Sequence, residues 1–415
     1  MARVLTTKDA YSIMNLLVKE ATGQDAQIQV VDSSTFVSAG ETVMATGVEN
    51  VLNSISLLAG KTLVAARPFT AKLALIQALN TGVYTHRFRK ISVLSKYAVI
   101  DGASNTDLKT NLAEGYDNGS NGGQSAASMW EQHRPVVAEF NFAGSSEWQY
   151  PITWYEYQLK TAFRSEEEFL DFWSGIMTEA ANDMECEREA FRRMTLLNFI
   201  AGLYDLNAVN GSAINMTAAY NAKFGTNYST AQLQTTHLTE FLEFFVSEFK
   251  TISNNLTNRS KKYHWSPSQT IGSDTYELLR HTPKNKQKCI MLERFWNDAE
   301  AQVKPAIFNP QYLDMANFET VQFWQNENEP SKIDVTPAIP DVANPTAQKA
   351  GDNVKLGYVL GIIFDEDAIL TDMQLEDASV TPIEARKHYR NTWYTFAKNA
   401  INDFTENAVL FYMAD

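Results

Sequence analysis

The stretch QLKTAFRSEEEFLDFWSGI, residues 158–176, contains the helix start on which the reading of the whole chain turns. Ser165 precedes Glu168 by three positions, the spacing at which an N-cap hydroxyl and an N3 carboxylate satisfy each other's backbone donors. Beyond it Phe169, Trp173, Ile176, Ala180, Met184, Phe191 and Met194 recur at three- and four-residue steps, with no proline until long after Leu197. The pattern predicts one apolar seam of about 30 residues or more, roughly 45 to 50 Å at 1.5 Å per residue. Glu166, Glu167, Glu168 and Asp171 crowd its first turns, and Arg188, Arg192 and Arg193 lie toward the other end, which complements the helix dipole. One compact lobe has no need of so long a helix.

Upstream of this helix, Val136, Ala138, Phe140 and Phe142 alternate with Val137, Glu139 and Asn141. Trp148, Tyr150, Ile152 and Trp154 follow at the same period of two. Two strands with an aromatic face are expected. Before them, DGASNTDLKTNLAEGYDNGSNGGQSAASMW (residues 101–130) offers glycines and asparagines with almost no large apolar side chain, so it cannot hold a core of its own. Ile91 to Ile100 reads as β-like. The first 60 residues give a helix near Ala10 to Ala21, an irregular Gly, Ser and Thr stretch, and a second apolar helix around Val51 to Leu58, together an extended arm.

Downstream, a polar region after Gly202 leads to an aromatic helix from about Leu233 to Ile252 carrying Phe241, Phe244, Phe245 and Phe249. A mixed lobe follows. Pro330, Pro337, Pro340 and Pro345 predict a long exposed loop, and the unbroken run YVLGIIF, residues 358–364, predicts a strand covered on both faces. The terminal HYRNTWYTFAKNAINDFTENAVLFYMAD contains two aromatic strand candidates, and no internal repeat occurs.

Composition bounds the function. With 415 residues and 44% apolar content the chain can bury a sizeable core. A net charge of −14 argues against a protein that neutralises many phosphates. Two cysteines, Cys186 and Cys289, give no disulfide framework. The first residues lack the uninterrupted apolar core of a secretory signal, and nowhere do about 18 apolar residues run together as a membrane span requires.

Motif by motif, the chemistry falls away. Gly60, Lys61 and Thr62 mimic the end of a phosphate-cradling loop, but Ile55 stands where the first glycine belongs. Asp365, Asp367 and Glu376 match positions one, three and twelve of a calcium loop, yet Ile369 and Leu370 occupy the fifth and sixth. An acidic start to a short helix is the expected role of that run. His86, His133, His237, His264, His281 and His388 are scattered without ligand spacing. Cys186 sits among Glu185, Glu187 and Glu189, where negative charge disfavours a thiolate. The carboxylates of the long helix are expected to solvate a face. The basic run RHTPKNKQK, Arg280 to Lys288, is expected to be a solvated loop. No catalytic residue, metal ligand or cofactor is assigned.

The order of elements resembles the major capsid proteins of tailed double-stranded DNA phages, the HK-97 type of fold. Residues 158–176 and RNTWYTFAKNAINDFTENAVLFYMAD are similar to the corresponding stretches in small short-tailed phages (podophages). The resemblance implies an α+β capsid fold with an N-terminal arm, an extended hairpin loop (E-loop), a spine helix, and peripheral and axial domains. It implies the divisions 1–90 (arm and helices), 91–160 (hairpin loop and flanking strands), 161–230 (spine helix and peripheral domain), 231–380 (axial domain) and 381–415 (terminal strands returning to the peripheral domain). Asp101, Gly115, Asn118, Gly122, Gly123 and Trp130 are then expected to contact a neighbouring subunit, and Phe169, Trp173, Ile176 and Met184 to form the spine-helix core.

The implied partners are copies of the chain as pentamers and hexamers, a portal and a scaffolding protein, with double-stranded DNA enclosed without being read and no membrane involved. The implied location is the virion capsid, assembled in the bacterial host cytoplasm. With the chain ending at Asp415 just after VLFYM, no added immunoglobulin-like domain is expected, and no crosslinking motif surrounds Lys109. An encapsulin-like cellular shell and an unrelated mixed-fold enzyme are the alternatives.

Overall fold

The computed structural model describes residues 7–22, 30–46, 69–79, 87–95, 135–207, 211–271, 274–302, 317–341 and 348–415. Two helices open the chain, α1 (Thr7–Thr22) and α2 (Ser33–Ala45). The second lies where the Gly, Ser and Thr content suggested irregular chain. Asp32 and Thr35 form a reciprocal capping box, and Phe36, Ala39 and Val43, at three- and four-residue steps, are fully buried. The apolar segment at 51–58 lies outside the described residues.

Next come β1 (Gln77–Ala78), β2 (Arg87–Leu94), β3 (Val136–Ala143), β4 (Ser146–Tyr155) and α3 (Glu156–Ala162). The long helix α4 runs from Glu166 to Asp205, 40 residues, or about 60 Å. Ser165 caps it by accepting from the Glu168 N–H at 3.2 Å. Beyond it lie β5 (Ala213–Asn215), α5 (Met216–Phe224), α6 (Thr230–Gln234) and α7 (Leu238–Asn255). The aromatic helix therefore starts at Leu238, because a separate capping box of Ser229 and Gln232 sets α6 apart. The hairpin β6 (Ser268–Ile271) and β7 (Asp274–Glu277) precedes β8 (Gln287–Leu292), α8 (Glu293–Gln302) and β9 (Asn317–Val321).

The proline-marked stretch is more ordered than expected. Its strands β10 (Ile333–Val335), β11 (Ala338–Pro340), β12 (Gln348–Ala350) and β13 (Val354–Leu356) pair antiparallel, β10 with β13 and β11 with β12. Asn198 of α4 clamps this excursion, accepting from Ala338 N at 2.7 Å and donating to Ala338 O at 3.3 Å. Four long strands close the chain: β14 (Tyr358–Asp365), β15 (Ile369–Val380), β16 (Tyr389–Asn402) and β17 (Ala408–Met413). The acidic run after β14 forms a tight turn into β15 rather than a short helix.

Two sheets organise this α+β fold, one four-stranded in the order β1-β15-β16-β4 and one five-stranded in the order β5-β17-β14-β8-β9. The first packs with α1, α2 and the front half of α4 around Trp154, Phe169, Trp173 and Tyr394. The second packs with α5, α7, α8 and the rear half of α4 around Phe199, Phe241, Phe245 and Phe411. One helix therefore serves two cores, which accounts for its length. In the front half the core positions are Phe169, Trp173, Met177, Ala180 and Met184. Ile176 is half-buried because the seam advances by four residues at Trp173, placing Met177 in the core position, and Met194 is exposed. The two terminal strands also part: β16 joins the four-stranded sheet, whereas β17 joins the five-stranded one.

Candidate functional site

The turn between β16 and β17, residues 403–407, is polar in sequence and buried in the structure. Asp403, Thr405, Glu406 and Asn407 are all 8% exposed or less. Such burial requires partners for every polar group. Asp403 Oδ1 accepts from Thr405 N at 2.9 Å and Oγ1 at 2.6 Å. Four backbone bonds tie the turn and its exit to two other segments, 365–368 and 263–265: Asp403 N to Ala368 O, Asp365 N to Asn407 O, Trp265 N to Phe404 O and Ala408 N to Tyr263 O. Phe404 stacks on Phe199 with centroids 5.0 Å apart, over Gly202, where a Cβ would meet the Phe404 ring at 2.4 Å. The two sheets and the long helix meet here.

Charge ties the β2–β3 ladder to the same turn. Lys90 of β2 bridges both Asp403 and Glu406. Arg280 approaches Glu406 Oε1 at 3.3 Å, donates to Thr405 O at 3.2 Å, and donates to Ser92 of β2 at 2.8 Å. Burial pushes the Glu406 carboxyl up, opposed by Lys90 and Arg280. Behind it a buried chain continues: Asn407 Nδ2 donates to Thr282 Oγ1, which donates to Asp365 Oδ2 at 2.7 Å, while the His264 ring spans Asn407 Oδ1 and Leu278 O at 3.0 Å each. Burial holds the His264 pKa below its ordinary value and raises that of Asp365. Phe140 of β3 meets Trp265 edge-on at 6.3 Å, and a groove of about 500 Å³ lies between Phe140, Phe142, Met194, Ile339 and Phe404. The ladder's other face leaves Ile91, Val93 and Val137 about half exposed.

A second device holds the segment 69–75 along α4. Asn182, Glu185 and Glu189, one helical turn apart, accept in succession from the backbone N–H of Phe69, Ala71 and Lys72 at 2.9, 3.2 and 3.2 Å. Arg192 donates to Lys72 O. Glu319 then accepts from Leu73, Ala74 and Leu75 at 2.6, 3.2 and 3.1 Å, where Leu73 takes a left-handed φ of +61°. These helix carboxylates grip a strap of chain rather than merely solvating a face.

Several expectations change here. The basic run 280–288 is anchored through its lysines, although His281, Pro283, Asn285 and Lys286 remain exposed. Lys286 pairs with Glu366 at 2.6 Å, Lys284 donates to Ser253 at 3.0 Å, and Lys288 donates to Leu75 O at 2.7 Å. Asp365, first in the calcium-like run, is bonded to Thr282, and Ile369 and Leu370 are buried. Cys186 is exposed, and Cys289 is buried in β8, where burial raises its thiol. Asp101, Gly115, Asn118, Gly122, Gly123 and Trp130 lie outside the described residues, as do Gly60 to Thr62, Lys109, His86, His133 and Pro345. Phe169 and Trp173 are fully buried, and Met184 is 7% exposed. No helix among the described residues is long and apolar enough to cross a membrane.

The pattern of the family described as Phi29-like phage major capsid protein matches residues 107–412, and the chain belongs to that family. Its role is to form capsids, and its place is the virion capsid. No curated protein matches the chain. Among solved structures, the capsid of Staphylococcus phage Andhra is 11% identical over 85% of this chain and 87% of that one, with a TM-score of 0.48. A structure of native bacteriophage P68, described as head fiber and inner core protein gp22, is 12% identical over 85% and 87%, also at 0.48. The capsid of cyanophage P-SCSP1u is 10% identical over 86% and 91%, at 0.41.

Proposed function

We propose that the chain is the major capsid subunit of a tailed double-stranded DNA phage of the short-tailed type, built on an HK-97-like fold and assembling as pentamers and hexamers into an icosahedral head. In this reading the four-stranded sheet with the front of α4 is the peripheral domain and the five-stranded sheet is the axial domain. The divisions 231–380 and 381–415 then fall differently from the sequence reading, because β15, inside the first, belongs to the four-stranded sheet and β17, inside the second, to the five-stranded one. A portal and a scaffolding protein complete the head, and assembly takes place in the host cytoplasm.

The observation that carries the reading is the β2–β3 ladder, rooted by Lys90 in a buried ionic turn and leading at Leu94 and Val136 into the connection that includes residues 101–130. That connection, with Asp101, Gly115, Asn118, Gly122, Gly123 and Trp130, reaches a neighbouring copy. Deleting most of 101–130 is expected to leave a folded chain that forms no shells. Normal shells from the deletion variant would remove the loop from the intersubunit contact. Enclosed DNA is retained by closure rather than affinity, since a net charge of −14 repels phosphate. Unassembled subunits at about 0.15 M salt are expected to bind duplex DNA no tighter than the non-specific range of about 10⁻⁴ to 10⁻⁶ M. A nanomolar, sequence-dependent complex would contradict this.

A further inference from the structure

One end of the four-stranded sheet carries unneutralised positive charge on an otherwise acidic molecule. There the β15–β16 connection meets the start of α3: Glu156 N donates to His388 O at 3.1 Å, and Glu156 Oε2 lies 3.1 Å from His388 Nδ1. Glu156 is also held by Lys160 at 2.5 Å. Glu384 is spent on the backbone N–H of Lys387, again at 2.5 Å. Both carboxylates at this meeting point are therefore engaged, while Arg386 and Lys387 there, and Arg164 two residues past the far end of α3, are exposed and have no ion pair among the described contacts. His388 takes a left-handed φ of +51°, a conformation that costs a non-glycine residue energy and fixes the shape of the turn. Tyr157 and Tyr389 each stand 5.7 Å from Tyr155, and Tyr157 is 65% exposed. Tyrosine and arginine at a surface are the side chains that interfaces favour.

Across Ser165 the sign reverses. Glu167, Glu168 and Asp171 are exposed on the first turns of α4, on the side away from the buried Phe169 and Trp173, while Glu166 is occupied by the Tyr11 hydroxyl at 2.8 Å. A positive edge beside a negative ledge is self-complementary. Two copies related by a two-fold axis can set each edge against the other's ledge.

We propose that Arg164, Arg386 and Lys387, with Tyr157, form a docking edge for the Glu167, Glu168 and Asp171 ledge of a second copy of this chain. The inference rests on the capsid role above. A shell repeats each contact across many copies, so a weak pair counts many times over. The competing occupant is nucleic acid, whose phosphates suit the same cations.

The test is a charge swap in the full chain, with assembly followed by light scattering and microscopy, folding by circular dichroism, and DNA retention measured on the particles. Arg386→Glu with Lys387→Glu, and separately Glu167→Lys with Glu168→Lys, should each remain folded and assemble at least tenfold more slowly than wild type. The quadruple variant carrying both swaps should recover to within about threefold, because its edge and ledge are again opposite in sign. Double variants that assemble at the wild-type rate overturn the proposal, as does a quadruple variant no better than the doubles. Loss of DNA retention with assembly intact in the Arg386 and Lys387 variant overturns it in favour of nucleic acid. A wild-type chain that forms no shells removes the capsid reading itself and this contact with it.

Discussion

Replacing Lys90 by Met should be among the most costly single changes in the molecule. The Lys90 side chain is 17% exposed and lies between Asp403, 2% exposed, and Glu406, 10% exposed. Met keeps most of the volume and removes the charge. Arg280 remains beside Glu406 at 3.3 Å, and Glu406 accepts a proton easily because burial already raises its pKa. Asp403 is left with only its bonds to Thr405 and no cation against it. Breaking a buried pair from one side costs about 3 to 5 kcal/mol, whereas neutralising every member together costs far less. Urea unfolding of the unassembled subunit should therefore show a loss of about 3 kcal/mol or more for Lys90→Met. Hydrogen exchange should quicken in residues 87–95. The double variant Lys90→Met, Asp403→Asn, which keeps the Glu406–Arg280 pair, should recover most of the loss. A Lys90→Met variant within about 1 kcal/mol of wild type, or a double variant worse than the single, refutes the idea that this cluster roots the ladder.

Trp173→Ala should cost about 3 to 5 kcal/mol by emptying an aromatic core site, read as a lowered unfolding midpoint; a midpoint that hardly moves would place the seam on the surface. Gly202→Ala should cost about 1 to 3 kcal/mol, because the added Cβ meets the Phe404 ring at 2.4 Å; an unchanged midpoint would mean that ring is free to shift. Glu319→Ala should remove the acceptor of three N–H groups, cost about 1.5 to 3 kcal/mol, and open residues 69–79 to limited proteolysis; an unchanged digest counts against the strap. For pH, the Glu406 carboxyl has a raised folded pKa, so the folded state takes up its proton first as pH falls. Its contribution is complete below the ordinary value near 4.5 and is lost as pH rises through the folded value. Wild type should thus gain on Glu406→Gln by up to about 1.4 kcal/mol per pH unit as the medium is acidified across that window, and a difference independent of pH contradicts the burial argument.

Sequence carried the framework where a local rule and the tertiary environment agree. Ser165 sits before a long proline-free apolar seam, and YVLGIIF is apolar because β14 lies between β17 and β8. It misled where composition masked spacing. In α2, Ser, Thr and Gly disguised the Phe36, Ala39 and Val43 stripe, although Asp32 and Thr35 offered a cap that could have been read. The ionic turn was invisible for a different reason. DFTEN looks like a solvated turn, and its burial is made tolerable by contacts far along the chain, with His264, Arg280 and Thr282 and with Lys90, more than 300 positions away. The same holds for the strap contacts of Glu185, Glu189 and Glu319: besides the Arg188 and Arg193 pairs that helical spacing offers the first two, their partners here are backbone N–H groups with no side-chain signature. The parting of β16 and β17 depends on their neighbours, β15 and β4 for the one and β14 and β5 for the other, and strand patterning does not encode those pairings.

Cryo-electron microscopy of particles formed by the full chain, at a resolution that traces strands, tests the central claim most directly. The account predicts closed shells in which α4 spans both lobes of each subunit and the chain leaving Leu94 and returning at Val136 lies over a neighbouring copy. Particles in which that connection folds back on its own subunit, or a chain that stays monomeric under every assembly condition, would contradict it.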